Sequence, residues 1–375
     1  MKKVLLTATV QSHICQFHKP LCRVLHGLGY EIHVAARDNL AEKNGLVLDF
    51  ADKVYDVPFA RSPFSKQNLG AYRMLRGIIE EQKYDAVHCN TPVGGVLTRL
   101  ACRKARKQGM RVLYTAHGFH FYKGAPKKNW LLYYPIEWLC AHWTDRLLTI
   151  TDEDFALATR KFRKTTVCRI HGVGADQTRF YPIPEKQREQ LRQQNGITPE
   201  QRVILCVGEL LPNKNQKTAV AAMQEVIKAQ PNALLCIAGN GPEQGALQAQ
   251  IESLGLQEHV RLLGYTTKIQ EWYGMSDVLV ACSYREGLPM NVIEAMLCGV
   301  PVVASVNRGH RELIKDGENG YLVQPDDAQA YAAKILSLLQ NNEHCLDVAQ
   351  AAHASAQDYR AERVEHELAQ IYQNL

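Results

Sequence analysis

Short aliphatic runs alternate with helix-length segments along almost the whole chain, and this alternation limits the possible folds more than any other feature. The runs "KVLLTAT", "EIHVAA", "AVHCN", "RVLYTAH", "RLLTIT" and "VCRIHG" are separated by segments such as 19–28, 69–82 and 94–108. Strands buried on both faces read as continuous apolar runs, and parallel neighbours need a helical crossover, so the pattern predicts a doubly wound parallel α/β sheet. After "RFYPIP" a polar, charged stretch, 185–201, breaks the pattern. A second series follows: "RVILCVGEL", "ALLCIAGNG", "VRLLGY", "VLVACSY", "PVVAS" and "GYLV". The reading is two Rossmann-like domains facing across a cleft, 1–182 and 183–359, with the terminal helix 360–375 joining the first. A chain of 375 residues with 46% hydrophobic content is long enough for two cores. In open sheets of this kind ligands bind beyond the carboxyl ends of the strands, so the loops after strands should carry the chemistry.

Composition excludes several classes. "MKKVLLTATVQSH" starts with two lysines, but its apolar run ends at Gln11 with no small-residue cleavage site, so it reads as a first strand and not a secretory signal. No stretch approaches the ~18 apolar residues of a membrane span. Eleven cysteines without a C-x-x-C pair, often inside strand-like runs, suggest buried free thiols in a reducing cytosol. The net charge of +6 is unevenly divided: residues 1–182 carry 28 Lys/Arg against 15 Asp/Glu, the remainder 16 against 23.

The stretch "REGLPMNVIEAMLCGVPVVAS", 285–305, concentrates the chemistry. Glu286 falls on the loop after the strand "DVLVACSY", and Glu294 near the first turn of the helix that follows. Taken singly, one is an ordinary loop acid and the other complements a helix dipole. Together they flank a Gly287/Pro289 loop whose backbone amides and helix N-terminus suit a phosphate, with two acceptors able to grip hydroxyls. A diphosphate lying between two sugars fits that pattern.

These residues resemble the E-x7-E signature of family 4 glycosyltransferases, retaining enzymes of the GT-B fold that use nucleotide-activated sugars. "HCNTPVGGVLTRL", "YTAHGFHFYKGAPKKNWLLYYPIEWLC" and "VGELLPNKNQ" resemble the branch that builds exopolysaccharide and capsule repeat units. The resemblance implies that Glu286 bonds hydroxyls of the transferred sugar and Glu294 the nucleotide ribose. It places the amides of Gly287 and Leu288, and the Lys214 ammonium, against the diphosphate. Gly208 and Glu209 would lie in the same donor site, Glu209 where many members have an arginine, leaving Lys214 more of the leaving-group charge. Gly239 and Gly241 of "AGNGPE" permit close backbone approach, and Tyr265 would border the base. In the first domain the family's equivalent of His117 contacts the donor sugar near the reaction centre. His13, Thr91, Gly94, Gly95 and His120 fall on the acceptor side.

No metal and no tightly held cofactor are expected, only a UDP-linked nucleotide sugar as co-substrate. "TDEDF", 151–155, superficially offers a D-x-D metal motif, but Thr151 followed by Asp154 reads as a helix capping box. "GNGPEQG" has the wrong spacing for a dinucleotide fingerprint. The competing readings are a GT-B-type nucleotide-sugar epimerase, a hydrolase using both glutamates, and a non-catalytic partner of another transferase. The function expected is transfer of a sugar to a lipid-linked saccharide in cell-surface polysaccharide synthesis.

A place of work is also implied. Between Ala86 and Ile136 there are nine basic residues and no acid. Arg99, Arg103 and Arg106 share a helical face by spacing. Lys123, Lys127 and Lys128 stand beside Trp130, Tyr133, Tyr134, Trp138 and Trp143. Basic residues next to amphipathic aromatics suit an anionic bilayer, so region 97–143 is expected to hold the protein on the inner face of the plasma membrane, with no nucleic-acid partner.

Overall fold

A computed structural model of the chain describes residues 1–42 and 46–375. It divides into two compact units, Met1–Gly174 with Ala361–Leu375, and Ala175–Arg360. The division falls eight residues before the expected 182/183 boundary because Ala175 bridges to Arg360 and Phe180 packs on Tyr273, both in the second unit.

The first unit contains strands β1 (Lys2–Val10), β2 (Tyr30–Arg37), β3 (Lys53–Asp56), β4 (Ala86–Asn90), β5 (Arg111–Ala116), β6 (Arg146–Thr149) and β7 (Thr166–Arg169). Its helices are α1 (Gln11–Phe17), α2 (Lys19–Gly27), α3 (Gln67–Gln82), α4 (Pro92–Ala101), α5 (Arg103–Arg106), α6 (Lys127–Ala141) and α7 (Asp152–Lys161). All seven strands are parallel, in the order β3-β2-β1-β4-β5-β6-β7. The short, exposed edge strand β3 lacks an apolar run and escapes a hydrophobicity reading. "QSHICQF" forms helix α1, entered directly from β1.

The second unit has α8 (Glu185–Gln194), β8 (Arg202–Val207), α9 (Gln216–Ala229), β9 (Ala233–Ala238), α10 (Gln244–Ser253), β10 (Val260–Gly264), α11 (Ile269–Met275) and β11 (Val278–Ala281). It continues with α12 (Met290–Leu297), β12 (Val302–Ser305), α13 (Arg308–Leu313), β13 (Tyr321–Val323), α14 (Ala328–Gln340) and α15 (Asn342–Ala356). Its sheet runs β10-β9-β8-β11-β12-β13, again all parallel. Alternate residues of β8 face opposite cores: Ile204 and Cys206 pack with α9 and α14, Val203 and Leu205 with α12. Covering both faces is what makes "RVILCV" uniformly apolar. In each sheet the strand order reverses beside the first strand of the unit, leaving a crevice at the carboxyl ends between β1 and β4 and between β8 and β11. The last helix, α16 (Ala361–Gln373), belongs to the first unit, where the Tyr372 hydroxyl and His88 Nδ1 hydrogen-bond at 2.8 Å.

The arginine stripe expected on α4–α5 does not form. Arg99 is 1% exposed, donates two 2.9 Å bonds to the Glu137 carboxylate and lies over the Tyr114 ring at 3.9 Å. Arg106 pairs with Asp145 at 2.9 Å, and Arg103 stacks over Trp143 at 4.5 Å. The cause is Glu137, the acid that closes the basic run: on α6 it reaches back beneath α4. Truncating one partner of a buried pair strands the other charge, so Arg99→Ala is expected to cost about 3–5 kcal/mol. Urea titration against the parent protein measures it, and a change below about 1 kcal/mol would contradict this account.

Candidate active site

The loops flanking the second crevice are stitched together. Asn213 donates from Nδ2 to the Arg285 carbonyl at 2.9 Å, and the Tyr284 amide donates to the Asn213 carbonyl at 2.8 Å. A short 3-10 turn, Pro212–Lys214, then ends at Asn215 in the left-handed region, φ 53°, where its Nδ2 donates to the Pro325 carbonyl at 2.8 Å. The turn aims Lys214 across the crevice, and its ammonium meets Glu286 Oε1 at 2.6 Å. The two side chains are 24% and 14% exposed, so a cation and an anion stand together at the strand ends, mostly withdrawn from water.

Behind them α13 closes the floor. A methyl at Gly309 would lie 2.5 Å from the Gly287 carbonyl, so α13 and the Glu286–Gly287 loop are in contact. His310 is fully buried; its Nδ1 donates to the Ser305 carbonyl at 2.8 Å and its backbone amide to Asn307 Oδ1 at 3.0 Å, while burial pushes its pKa down. Among the described residues the amides of Gly287 and Leu288 donate to no backbone carbonyl.

Glu294 is the fifth residue of α12, beside the end of its first turn. The Tyr273 hydroxyl donates to its Oε2 at 3.0 Å. Burial raises its pKa to about 7, opposed by the Tyr273 bond and the Arg179 charge. The glycines act by shape. The Gly208 and Gly239 amides are already used, donating to Ala238 and Gly264 carbonyls at 3.0 and 2.8 Å. A methyl at Gly239 or Gly241 would strike the Gly208 or Leu210 carbonyl oxygen at 1.9 or 2.3 Å, so the loops after β8 and β9 can cross only here. The Glu209 carbonyl accepts from Gln216 at 3.0 Å, and Tyr265 is 47% exposed beyond β10.

In the first unit His117, after β5, approaches His13 of α1: their Nε2 atoms are 3.4 Å apart. His117 Nε2 is also 3.2 Å from Asn90 Oδ1. Burial keeps these imidazoles neutral, lowering His13 to about 4 and His117 well below its ordinary value. His120 stacks on Tyr133 at 4.6 Å. Thr91 has φ 64° and ties β4 to β1, accepting from the Thr9 amide at 3.0 Å. Gly94 and Gly95 do not line an acceptor surface. Both are buried, and a methyl would meet Thr91 Oγ1 at 2.8 Å or the Tyr114 ring at 2.5 Å, so they let α4 settle onto the sheet. Thr151 caps α7 as expected, accepting from the Asp154 amide at 3.3 Å, and Asp152 pairs with Arg169 at 2.8 Å. Tyr273, Asn213, His310 and Asn90 had no sequence signal, since each matters through partners distant in the chain.

Residues 3–151 match the family described as "Glycosyl transferase 4-like", and residues 187–355 that described as "Glycosyl transferases group 1". The chain is 43% identical over 373 residues to "Putative glycosyltransferase EpsD" of Bacillus subtilis (strain 168), covering 99% of this chain and 96% of that one. It is 26% identical over 321 residues to the "UDP-Gal:alpha-D-GlcNAc-diphosphoundecaprenol alpha-1,3-galactosyltransferase" of Escherichia coli, covering 81% and 82%. Among solved structures, Anabaena Alr3699/HepE in complex with UDP and glucose superposes with a TM-score of 0.81 at 21% identity over 100% of both chains. The chain belongs to the family 4 glycosyltransferases, of GT-B fold and of the exopolysaccharide type. It is a glycosyltransferase.

The elevated Glu294 pKa has a pH consequence. Between about 4.5, its ordinary value, and about 7, the folded protein retains a proton that the unfolded chain has released, so this group's contribution to stability falls as pH rises through that window. Glu294→Gln, neutral throughout, is expected to remove this part of the slope, on the order of 3 kcal/mol. Urea titrations of both proteins from pH 5 to 8 check it, and parallel curves would contradict it.

Proposed function

We propose that the enzyme is a retaining transferase that moves a sugar from a UDP-sugar to a lipid-linked saccharide during cell-surface polysaccharide synthesis. The observation that carries this reading is the Lys214–Glu286 pair beside the free-facing amides of Gly287 and Leu288 at the crevice of the second sheet. A donor seated there would part the pair by serving both members. The sugar hydroxyls donate to the Glu286 carboxylate, and the diphosphate takes the Lys214 ammonium. As the bond from the anomeric carbon to the phosphate oxygen breaks, negative charge grows on the diphosphate, where a preplaced cation and two amides stabilise it. No metal is assigned to this leaving group. Glu294, ionised, accepts from the ribose hydroxyls, and Tyr273 holds it in place. UDP is favoured because the HepE structure contains UDP, and the Escherichia coli relative is named for UDP-Gal and a diphosphoundecaprenol-linked GlcNAc.

The test pairs product formation with binding. UDP-sugars are offered with a lipid-linked saccharide, and a new glycosidic bond is sought by mass spectrometry. Ribose contacts act equally in ground and transition states, so Glu294→Ala should weaken UDP binding in calorimetry. Glu286→Ala should mainly lower turnover. Lack of product with any nucleotide sugar, or Glu294→Ala binding UDP as tightly as the parent, would overturn the assignment.

The same reading places the first unit on the inner membrane leaflet. With Arg99 buried against Glu137 and Arg106 paired with Asp145, the surface that fits is α6 itself. Leu131, Leu132, Ile136, Trp138 and Leu139 are exposed by 79, 45, 41, 46 and 48%, and their spacing puts them on one side of the helix. Lys123, Lys127 and Lys128 sit exposed at its start. Trp130, Tyr133 and Tyr134 turn inward against Phe121 and Phe162, so of the aromatics expected to face lipid only Trp138 does so strongly. No helix among the described residues is long and apolar enough to cross a membrane. An apolar face edged by cations lies in the interface instead. Co-sedimentation with anionic vesicles should exceed that with neutral ones and decline with salt, and Leu131→Ser with Trp138→Ser should abolish it. Binding unaffected by the double substitution would remove α6 from this role.

A further inference from the structure

At the crevice of the second sheet one buried ring nitrogen has no hydrogen-bond partner among the described residues: Nε2 of His310, on α13 after β12. The imidazole is mounted from the loop that bears Glu286. The Ser283 carbonyl accepts from Ser305 Oγ at 2.5 Å and from Asn307 Nδ2 at 2.9 Å, and Asn307 Oδ1 accepts from the His310 amide at 3.0 Å. The Ser305 carbonyl lies 2.8 Å from His310 Nδ1. A carbonyl oxygen only accepts, so the ring proton sits on Nδ1 and Nε2 keeps its lone pair. Gly309, the preceding residue, touches the same loop: a methyl there would lie 2.5 Å from the Gly287 carbonyl oxygen and 2.8 Å from Glu286 Cβ. Burial holds the ring neutral, and Glu286 and Lys214 are the charges close enough to act on it.

A buried acceptor without a partner is costly, and a ligand that brings it a proton removes the cost. Ionised diphosphate oxygens carry lone pairs and no proton, so they cannot serve. Glu286 is an acceptor too when ionised, and the Lys214 ammonium is engaged with it at 2.6 Å. What a nucleotide sugar still offers is a hydroxyl, and those of the ribose fall to Glu294. We propose that His310 is a specificity-determining residue of the donor site, its Nε2 accepting a hydrogen bond from one hydroxyl of the transferred sugar, next to those that Glu286 takes. The assignment rests on the UDP-sugar reading of this crevice. A donor that parts Lys214 from Glu286 opens the approach to Nε2, so the imidazole meets the sugar only after the pair has separated. The donor must then carry a free hydroxyl at the position Nε2 reaches. A site built to bond a hydroxyl rejects the analogue that lacks it far more strongly than an apolar pocket rejects a change of shape, because the buried acceptor is left unpaired.

Calorimetry isolates the contribution of the sugar. The Kd of UDP is divided by that of UDP-glucose, UDP-galactose or UDP-N-acetylglucosamine, and the donor with the largest ratio is carried forward. His310→Asn keeps a side-chain amide for the Ser305 carbonyl but has nothing at the place of Nε2, whereas His310→Gln sets an acceptor oxygen near it. His310→Asn should lower the ratio about 10-fold, equivalent to about 1.4 kcal/mol, with UDP itself bound as by the parent. His310→Gln should restore most of the loss. Among the monodeoxy analogues of the same donor, one should bind the parent more weakly yet lose nothing further in His310→Asn. Should His310→Asn fail to fold by circular dichroism, His310→Leu takes its place. A ratio unchanged in the folded variant, a ratio of one for every sugar in the parent, or equal losses for UDP and UDP-sugar would overturn the role of His310 and leave the donor site standing, since UDP still binds the parent. A parent that binds no UDP would overturn the donor reading, and this assignment with it.

Discussion

The reversal of strand order beside the first strand of each sheet is the constraint on which the rest depends. β11 pairs with β8 through Val278–Ile204 and Leu279–Leu205, while β9 pairs on the other side. Crossovers on opposite faces force the loops after β8 and β11 to part, and Lys214 and Glu286 stand in that gap. The apolar strands beneath set the positions. Two loops that share no sequence neighbourhood, 208–214 and 282–289, are thereby brought within hydrogen-bonding distance.

That geometry gives the Lys214–Glu286 pair its character. A salt bridge in bulk water is weak, but one drawn partly out of water and fixed by stitched loops is held in a single arrangement at small entropic cost. Glu294 behaves differently, since its surroundings favour the neutral acid. Two glutamates eight positions apart thus differ in electrostatics because one meets an ammonium and the other a tyrosine in an apolar pocket.

The alternation of apolar runs makes both sheets legible, and strand-end position picks out Glu286, Lys214 and His117, because these depend on local pattern and on the general rule for open sheets. What stays hidden depends on partners far away in the chain. Arg99 looks like a surface cation until Glu137, thirty-eight residues on, is seen to receive it. Gly94 and Gly95 read as a ligand-lining turn, yet the Tyr114 ring fills the space a side chain would need. The histidine pair spans 104 positions between His13 and His117 and has no spacing signature at all.

The terminal helix has a consequence for synthesis. Its Tyr372 completes the hydrogen bonding of His88 in the central strand of the first sheet, and His171 binds Glu367 through its ring and its amide at 2.6 and 2.9 Å. The first unit is thus interrupted in the chain, whereas residues 175–360 of the second are contiguous. A ribosome making this protein therefore releases the whole of the second unit before it delivers the last helix of the first. During that interval the nascent amino-terminal sheet must wait with one flank uncovered, so order of emergence and order of completion run opposite ways.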